Sequence, residues 1–501
     1  MIFRDWLKEL DYTLLQGSVD VETEDVIYDS RKAAPGKVFV AMKGIRVDGH
    51  SFIPQVLKAG VRVLVTERPV EEELKNSGLS EDELKQVTVV MVEEGRHALA
   101  LLSAARFDHP AKKLVMIGVT GTKGKTTTTH MIRAILLAAG KKVGMIGTTG
   151  TVIGYVVTPT LNTTPESYEL HQAFAQMVEA GCEYAVMEVS SQGIKMHRTD
   201  GLYFNYAIFT NISPDHIGPG EHADFEEYLY YKTRLLNMCG IGLVNKDDEH
   251  APQIIKAANC ELYTYSEESK EADFVASDIR YVSQPDFVGT EFHISGKYDM
   301  EVRLGIPGLF NVVNALAAVS VCSFLGLDQA RISHALENIR VNGRMEIVYT
   351  SERCTVLVDY AHNAVSMESL LSTLRDYKPK RLVCVFGCGG NRSKDRRYSM
   401  GEIGGKMADL SIITADNTRY EKVEDIIADI RGSIEKTGGK FIEIPDRREA
   451  IRYSILHAQP GDMVAVIGKG HEDYQEINGV RHHFLDREVI EETVKELGEK
   501  A

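Results

Sequence analysis

Nowhere do the 501 residues contain an uninterrupted apolar run of the ~20 residues that a membrane-spanning helix needs. The stretch from Met1 to Tyr12 mixes charged and apolar side chains and has no signal-like core. Long basic runs are missing too, and the net charge is −15. An acidic surface argues against nucleic acid or a membrane as partner, while leaving room for a local cationic pocket. Cysteine is sparse, seven in all and scattered. Cys384 and Cys388 come closest together, but no second ligand cluster accompanies them. Buried reduced thiols are therefore expected, rather than zinc or disulfides. Short repeats and low-complexity tracts are also lacking. Together these absences predict a cytoplasmic globular protein.

At ~150 residues per domain the length suggests about three domains, and a 44% hydrophobic content gives each a core. Residues 1–108 alternate short apolar runs (Lys37 to Ala41, Val61 to Thr66, Val87 to Val92) with helical segments, ending in the linker-like Asp108-His109-Pro110. Residues 109–341 open with the strand-like Leu114 to Gly118 and a glycine-rich turn. A helical pattern follows, carrying Met131, Ile132, Ile135 and Leu136 and stopping at Gly140. Val143 to Ile146, Tyr184 to Met187 and Tyr206 to Phe209 read as further strands, apolar enough for a sheet covered on both faces. Residues 342–501 place helices between Thr355 to Val358, Leu382 to Phe386, Leu410 to Ile413 and Met463 to Ile467. That is the rhythm of a doubly wound sheet. The predicted fold class is α/β in three domains: an N-terminal α/β domain, a central P-loop ATPase-like parallel sheet, and a C-terminal Rossmann-like domain.

Gly118-Val-Thr-Gly-Thr-Lys-Gly-Lys-Thr126 lies between a strand and a helix. Glycines let backbone amides close around phosphate, and the helix N-terminus adds a favourable dipole. Lys125 then neutralises the β- and γ-phosphates while the Thr126 hydroxyl reaches Mg²⁺. The strict G-x-x-x-x-G-K-T spacing fails because Val119 occupies the position of its first glycine. A bland turn fits less well than a nucleotide loop here. This segment resembles the ATP loop of the Mur ligases and of their relatives, the folylpolyglutamate synthetases. The resemblance assigns ATP to Gly121, Thr122, Lys123, Gly124, Lys125, Thr126 and Thr127, with Lys123 standing where those enzymes typically have Asn.

Glu188, Asn211 and His216 follow predicted strands, where ligands of open α/β sheets gather. Taken singly, Glu188 reads as a cap, His216 as a satisfied loop histidine, and Lys232 as solvated helix surface. Met187-Glu-Val-Ser-Ser-Gln192 and Thr210-Asn-Ile-Ser-Pro-Asp-His216 nevertheless resemble the family's E-V-S-S and T-N-x-x-x-D-H motifs. The resemblance implies that Glu188 and His216 hold a second Mg²⁺. It also implies that Lys232 carries a carbamate, converting a cation into an anion beside the metal. Lys125, Glu188, His216 and Lys232 are thereby the expected catalytic set, with Thr126, Glu188, His216 and carbamylated Lys232 on the metal side.

Asn162, Thr163, Thr164, Ser190 and Arg198 resemble the stretches that grip the sugar-peptide substrate; alone, Thr163-Thr164-Pro165 is an ordinary turn. Asp29 to Phe39 and Gly44 to His50 resemble the uridine-diphosphate-binding domain of the type adding the third stem-peptide residue, with Ser30 on the nucleotide-sugar. Ile306-Pro-Gly-Leu-Phe-Asn-Val-Val-Asn314 resembles P-G-x-F-N-x-x-N and places Asn314 against adenine. Arg344, Asp359 and His362 match positions that complete the ATP site.

Gly387-Cys-Gly-Gly-Asn-Arg392, Asp416-Asn-Thr-Arg419 and Gly468-Lys-Gly-His-Glu472 resemble the amino-acid loops of diaminopimelate-adding members. Bidentate arginine matches a distal carboxylate and glutamate an ammonium, so Arg392, Arg419 and Glu472, with Asp416, Asn417 and Gly468, favour meso-diaminopimelate over lysine. Thr418 replaces a typical proline and is expected to loosen the backbone that aims Arg419; Asn391 replaces a frequent aspartate. Arg396 and Arg397 read as solvated surface arginines. The implied activity is ATP-dependent addition of meso-2,6-diaminopimelate to UDP-MurNAc-L-Ala-D-Glu by a monomer that closes on its ligands. The alternatives are addition of lysine or another diamino acid, and a non-catalytic nucleotide-sugar sensor.

Overall fold

The computed structural model describes residues 1–44 and 47–498. Ile45 and Arg46, within the 44–50 motif, lie outside the described residues. The chain divides into two compact units, Met1–Tyr265 and Ser266–Ala501.

The first unit holds two sheets. The N-terminal one runs in the order Thr13–Gln16, Thr88–Met91, Val63–Thr66, Lys37–Val40, Asp25–Ile27. Only its first pair is antiparallel. In the second sheet the P-loop strand Val115–Thr120 lies between Tyr184–Glu188 and Phe204–Phe209, parallel to both. Cys239–Asn245 and Glu261–Ser266 extend it on one side, and Val143–Gly147 on the other, all in parallel. Gly150–Ile153 and Val156–Thr158 then return antiparallel, an edge that the short, partly polar segments did not announce. Val143–Gly147 is buried throughout, and Tyr184–Glu188 almost so, as strands covered on both faces require.

Helix Lys125–Ala138 buries Met131, Ile132, Ile135 and Leu136, the predicted apolar stripe, and Gly140 beyond it has φ +77°. At the predicted linker, Asp108 and His109 both take left-handed backbone before a 3₁₀ turn at Pro110–Lys113.

The second unit begins with an antiparallel meander, Phe274–Gln284, Phe287–Gly296 and Met300–Leu304, against which helix Leu309–Phe324 packs. Its other sheet has the order Glu346–Thr350, Cys354–Asp359, Asp462–Ile467, Arg381–Phe386, Leu410–Ile413, Phe441–Glu443. All neighbours after the first pair are parallel. Cys384 in strand Arg381–Phe386 and Cys388 just after it are free and buried, and burial pushes the Cys388 thiol up to about 12.

Candidate functional site

Because Val115–Thr120 has parallel neighbours on both sides, three chain segments leave the sheet at one edge. They are the loop 121–124, the end of the Glu188 strand and the turn Thr210-Asn211. Gly121 has φ +143°, and a Cβ there would sit 1.9 Å from Thr210 Oγ1, so only glycine fits. The turn latches the loop. Thr122 N–H donates to Asn211 O at 2.8 Å, Lys123 N–H to Asn211 Oδ1 at 2.9 Å, and Thr210 Oγ1 to Lys123 O at 2.7 Å. Lys123 itself is exposed.

Lys125 Nζ donates to Gly121 O at 2.8 Å and to Thr122 O at 3.1 Å. Lys232 Nζ reaches the same Gly121 O at 2.7 Å. Lys232 is 2% exposed, which corrects the solvated-surface reading of its helix. The helix Phe225–Thr233 turns this residue inward, over the Tyr228 ring at 4.7 Å. Burial, with Lys125 adding repulsion, drives the Lys232 ammonium well below its ordinary range. A neutral amine, unlike an ammonium, is the form of lysine that can react with CO₂.

Glu188 is 1% exposed and accepts from Thr126 Oγ1 at 3.0 Å, Thr148 N–H at 2.9 Å and Thr148 Oγ1 at 3.2 Å. A buried carboxylate held between two hydroxyls is a hard-oxygen donor set that suits Mg²⁺. Thr148 escaped the sequence reading because nothing marks a threonine in a Gly-Thr-Thr-Gly turn. His216 lies on an exposed segment with φ +54°; its ring pairs with Glu221 at 3.2 Å and sits 6.2 Å from the Tyr228 ring that Lys232 overlies.

Thr164 Oγ1 bridges Glu188 O at 3.0 Å and Ser190 N–H at 2.9 Å, so the stretches 162–165 and 187–192 share one hydroxyl. Ser190 caps helix Ser191–Lys195 through Gly193 N–H. Thr163 Oγ1 meets Thr148 Oγ1 at 3.1 Å, and Asn162 is exposed. Arg198 holds Thr164 O and Glu166, and Arg96 meets the other oxygen of that carboxylate. Glu166 is thus an anion between two arginines that sequence reasoning missed. Next to it, His97 and His197 both donate through Nδ1 to Asp200 Oδ2, at 2.6 and 2.8 Å. Burial raises the Asp200 carboxyl, but these hydrogen bonds win and hold it near about 2. Ser30 begins the 3₁₀ turn Ser30–Lys32, half-buried beside Asp29.

In the second unit, Asn314 is buried on helix Leu309–Phe324 and donates to Asn311 Oδ1 at 3.2 Å. Asp359, at the end of Cys354–Asp359, accepts from Met345 N–H and Ala361 N–H, each at 2.8 Å. Burial pushes its carboxyl up, against Arg344. Arg344 lies 4.7 Å from the Tyr360 ring, and His362 Nδ1 is 2.9 Å from Tyr360 O. Tyr360, absent from the sequence-derived set, contacts both Arg344 and His362.

The loops 387–392, 416–419 and 468–472 leave the C-terminal ends of Arg381–Phe386, Leu410–Ile413 and Asp462–Ile467 at one sheet edge. A Cβ on Gly389 would meet Arg419 Nη1 at 3.4 Å and Arg392 Cγ at 3.9 Å, so both arginines flank one backbone position. Asn417 Nδ2 donates to Glu472 Oε2 at 2.9 Å; the buried Lys469 ammonium reaches the same oxygen and Asn417 Oδ1, each at 3.2 Å. Gly468 (φ +114°) brings its backbone against the Asp416 carboxylate. Two expectations need correcting. Thr418 does not leave Arg419 loosely aimed: Arg419 N–H bonds Glu476 O, its carbonyl accepts from Asn478 N–H, and Nη1 bonds Gly390 O at 2.6 Å. The hairpin Tyr474–Ile477/Val480–His483 supplies Glu476 and Asn478, these backbone partners of Arg419. Arg397 is no surface arginine but is 1% exposed, paired with Glu421 and Asp429.

Fold and loop geometry define a P-loop α/β protein that handles nucleotide phosphates. Comparison with known proteins narrows this. "Mur ligase family, catalytic domain" matches residues 23–107, "Mur ligase middle domain" 119–322, and "Mur ligase, glutamate ligase domain" 343–470. The UDP-N-acetylmuramoyl-L-alanyl-D-glutamate–2,6-diaminopimelate ligase of Caldanaerobacter subterraneus subsp. tengcongensis is 38% identical over 498 residues, 98% of each chain. Its namesake in Clostridioides difficile is 36% identical, over 99% of this chain and all of the other. A solved structure of a ligase with that name shares 30% identity at a TM-score of 0.72, covering 95% and 96% of the two chains. Thermotoga maritima MurF, solved with ADP, shares the fold at 19% identity, a TM-score of 0.57 and 95% and 97% coverage. The chain belongs to the Mur ligase family of ATP-dependent ligases. No helix among the described residues is long and apolar enough to cross a membrane.

Proposed function

We propose that this chain joins meso-2,6-diaminopimelate to the D-glutamyl carboxylate of UDP-MurNAc-L-Ala-D-Glu, using ATP, in peptidoglycan precursor synthesis. The observation that carries the reading is the convergence of Lys125, Thr126, Glu188 and Lys232 on one phosphate loop. The 36–38% identical, full-length relatives of that name agree with it.

The amides of residues 121–127 and the Lys125 ammonium bind the ATP phosphates. Mg²⁺, when bound, screens the phosphate charge and polarises the γ-phosphoryl group. Thr126 and Glu188 would hold it, and Lys232 would join them as a carbamate but not as an ammonium. His216, with Glu188, would serve a second Mg²⁺. Thr163, Thr164, Ser190, Asn162 and Arg198 orient the peptide end of the precursor, and Ser30 its nucleotide end. Asn314, Arg344, Asp359 and His362 complete the contacts to ATP.

The glutamyl carboxylate attacks the γ-phosphorus, ADP leaves, and an acyl phosphate forms. The diaminopimelate α-amine then attacks the acyl carbon, inorganic phosphate departs and the nitrogen gives up a proton, leaving an amide. Arg392 and Arg419 take the distal carboxylate, and Glu472 with Asp416 and Asn417 takes ammonium. Stabilisation of charge at the phosphoryl group and positioning of the amine supply the rate. The protein works as a cytoplasmic monomer.

Hydroxylamine trapping tests the first half-reaction. Precursor-dependent ADP release with a hydroxamate on the D-glutamyl carboxyl is expected. Binding of ATP and precursor with no ADP release would instead establish a nucleotide-sugar sensor.

A further inference from the structure

The loops bearing Arg392 and Arg419 are joined by more than their own side chains. Gly390 N–H donates to Asn417 O at 2.8 Å, and Arg419 Nη1 returns a bond to Gly390 O at 2.6 Å. Asn391, held at φ +52°, accepts from Tyr420 N–H at 3.1 Å through Oδ1 and donates its own N–H to Glu421 Oε1. Glu421 caps this arrangement because its N–H also closes the turn on Thr418 O at 3.0 Å. The Glu421 carboxylate is in turn gripped by Arg397, whose Nη2 lies 2.8 Å from both oxygens, while Nη1 takes Asp429 at 2.9 Å. Arg397 sits on helix Lys394–Met407, Asp429 on helix Val423–Thr437, and Glu421 just before the latter. One buried guanidinium therefore anchors both loops to two packed helices.

We infer that Arg397, acting through Glu421, is a positioning residue that sets the spacing of Arg392 and Arg419 and hence the grip on the amino acid's distal carboxylate. A guanidinium with two carboxylate partners at fixed angles holds geometry that a lysine ammonium cannot reproduce. The pair bonds the backbone and turn of the arginine loops, so its influence falls on amino-acid binding rather than on ATP or the precursor. The inference rests on the proposed ligase reading of the arginine loops.

The test compares the full-length parent with Glu421→Gln and Arg397→Lys, using steady-state kinetics in each substrate. The melting temperature serves as the folding control, and Glu421→Gln, at a partly exposed site, is the milder variant. Losing one charge-assisted bond is expected to raise the KM for diaminopimelate about tenfold, with KM for ATP and precursor within about twofold and kcat largely kept. An unchanged amino-acid KM in both variants, or an equal rise in all three KM values, overturns the inference. A parent that forms no product with any amino acid overturns the proposed function instead. Hydrogen exchange then decides the inference alone: faster exchange at the Gly390, Asn391 and Arg419 amides in Glu421→Gln supports it, and parental rates overturn it.

Discussion

Glu188 shows how much of the site depends on single side chains. Its carboxylate is buried and takes hydrogen bonds from Thr126 and Thr148. Glu188→Gln keeps the shape and removes the charge, so turnover is expected to fall about 10²–10³-fold. Equilibrium dialysis with ATP should show binding retained; parental turnover would remove Glu188 from the chemistry. Lys232 makes a different prediction because its ammonium is disfavoured in the folded chain. Between its lowered folded value and the ordinary lysine value, the unfolded chain carries a proton that the folded chain does not. Stability therefore rises with pH across that window, and the burial penalty is full below it. Lys232→Met is expected to melt higher than the parent at neutral pH, with a flatter rise toward alkaline pH, and to lose turnover. A lower melting temperature at every pH would contradict the account. Sequence alone exposed the motif residues but not their burial: neither Lys232 nor Arg397 is marked by its neighbours, because a cation's desolvation is set by distant segments. Glu166, Thr148 and Tyr360 were missed for the same reason, each a common residue made important by what folds against it.

Among elements, parallel strands were the most legible. Val143–Gly147, Tyr184–Glu188 and Asp462–Ile467 are covered on both faces and read as unbroken apolar runs. The meander was not read, since Phe274–Gln284 buries its start and then alternates exposed and half-exposed residues with a register shift at Ser277/Arg280. An antiparallel strand with one wet face and a bulge leaves little periodicity to find. Helix Ser167–Glu179 carries a testable oddity. His171 is 1% exposed, against Phe174, and among the described residues neither ring nitrogen has a partner. Burial, then the nearby His109, lowers it from 6.5 to about 3. From pH 6.5 down toward 3 the unfolded chain binds a proton that the folded chain refuses, so acid favours unfolding. His171→Leu is expected to move the acid-unfolding midpoint to lower pH with catalysis unchanged. An unshifted midpoint would show that His171 is not the group responsible.

At the scale of the whole chain, the proposed precursor residues and the proposed amino-acid residues fall in different units. The first has the phosphate loop, Glu188 and the Arg198 stretch; the second has the arginine loops and Glu472. Arg419→Ala should therefore raise the KM for the amino acid by about tenfold or more while precursor affinity, measured by calorimetry, stays at the parental value. A matching loss of precursor affinity would contradict that separation. The α/β class and the placement of the loops at strand ends were legible from the order of runs and turns. The tuning of Arg419 was not, because its restraint comes from the hairpin after Glu472 and from Glu421, neither of which a motif reveals. The proposed activity turns on the identity of the amino acid added. Product mass, measured with ATP, Mg²⁺ and UDP-MurNAc-L-Ala-D-Glu against a panel of meso-diaminopimelate, lysine and ornithine, tests it directly. Product with meso-diaminopimelate, at a kcat/KM well above the other two, is the expected result; preferential formation of the lysine or ornithine adduct would contradict the assignment of Arg392 and Arg419 to a distal carboxylate.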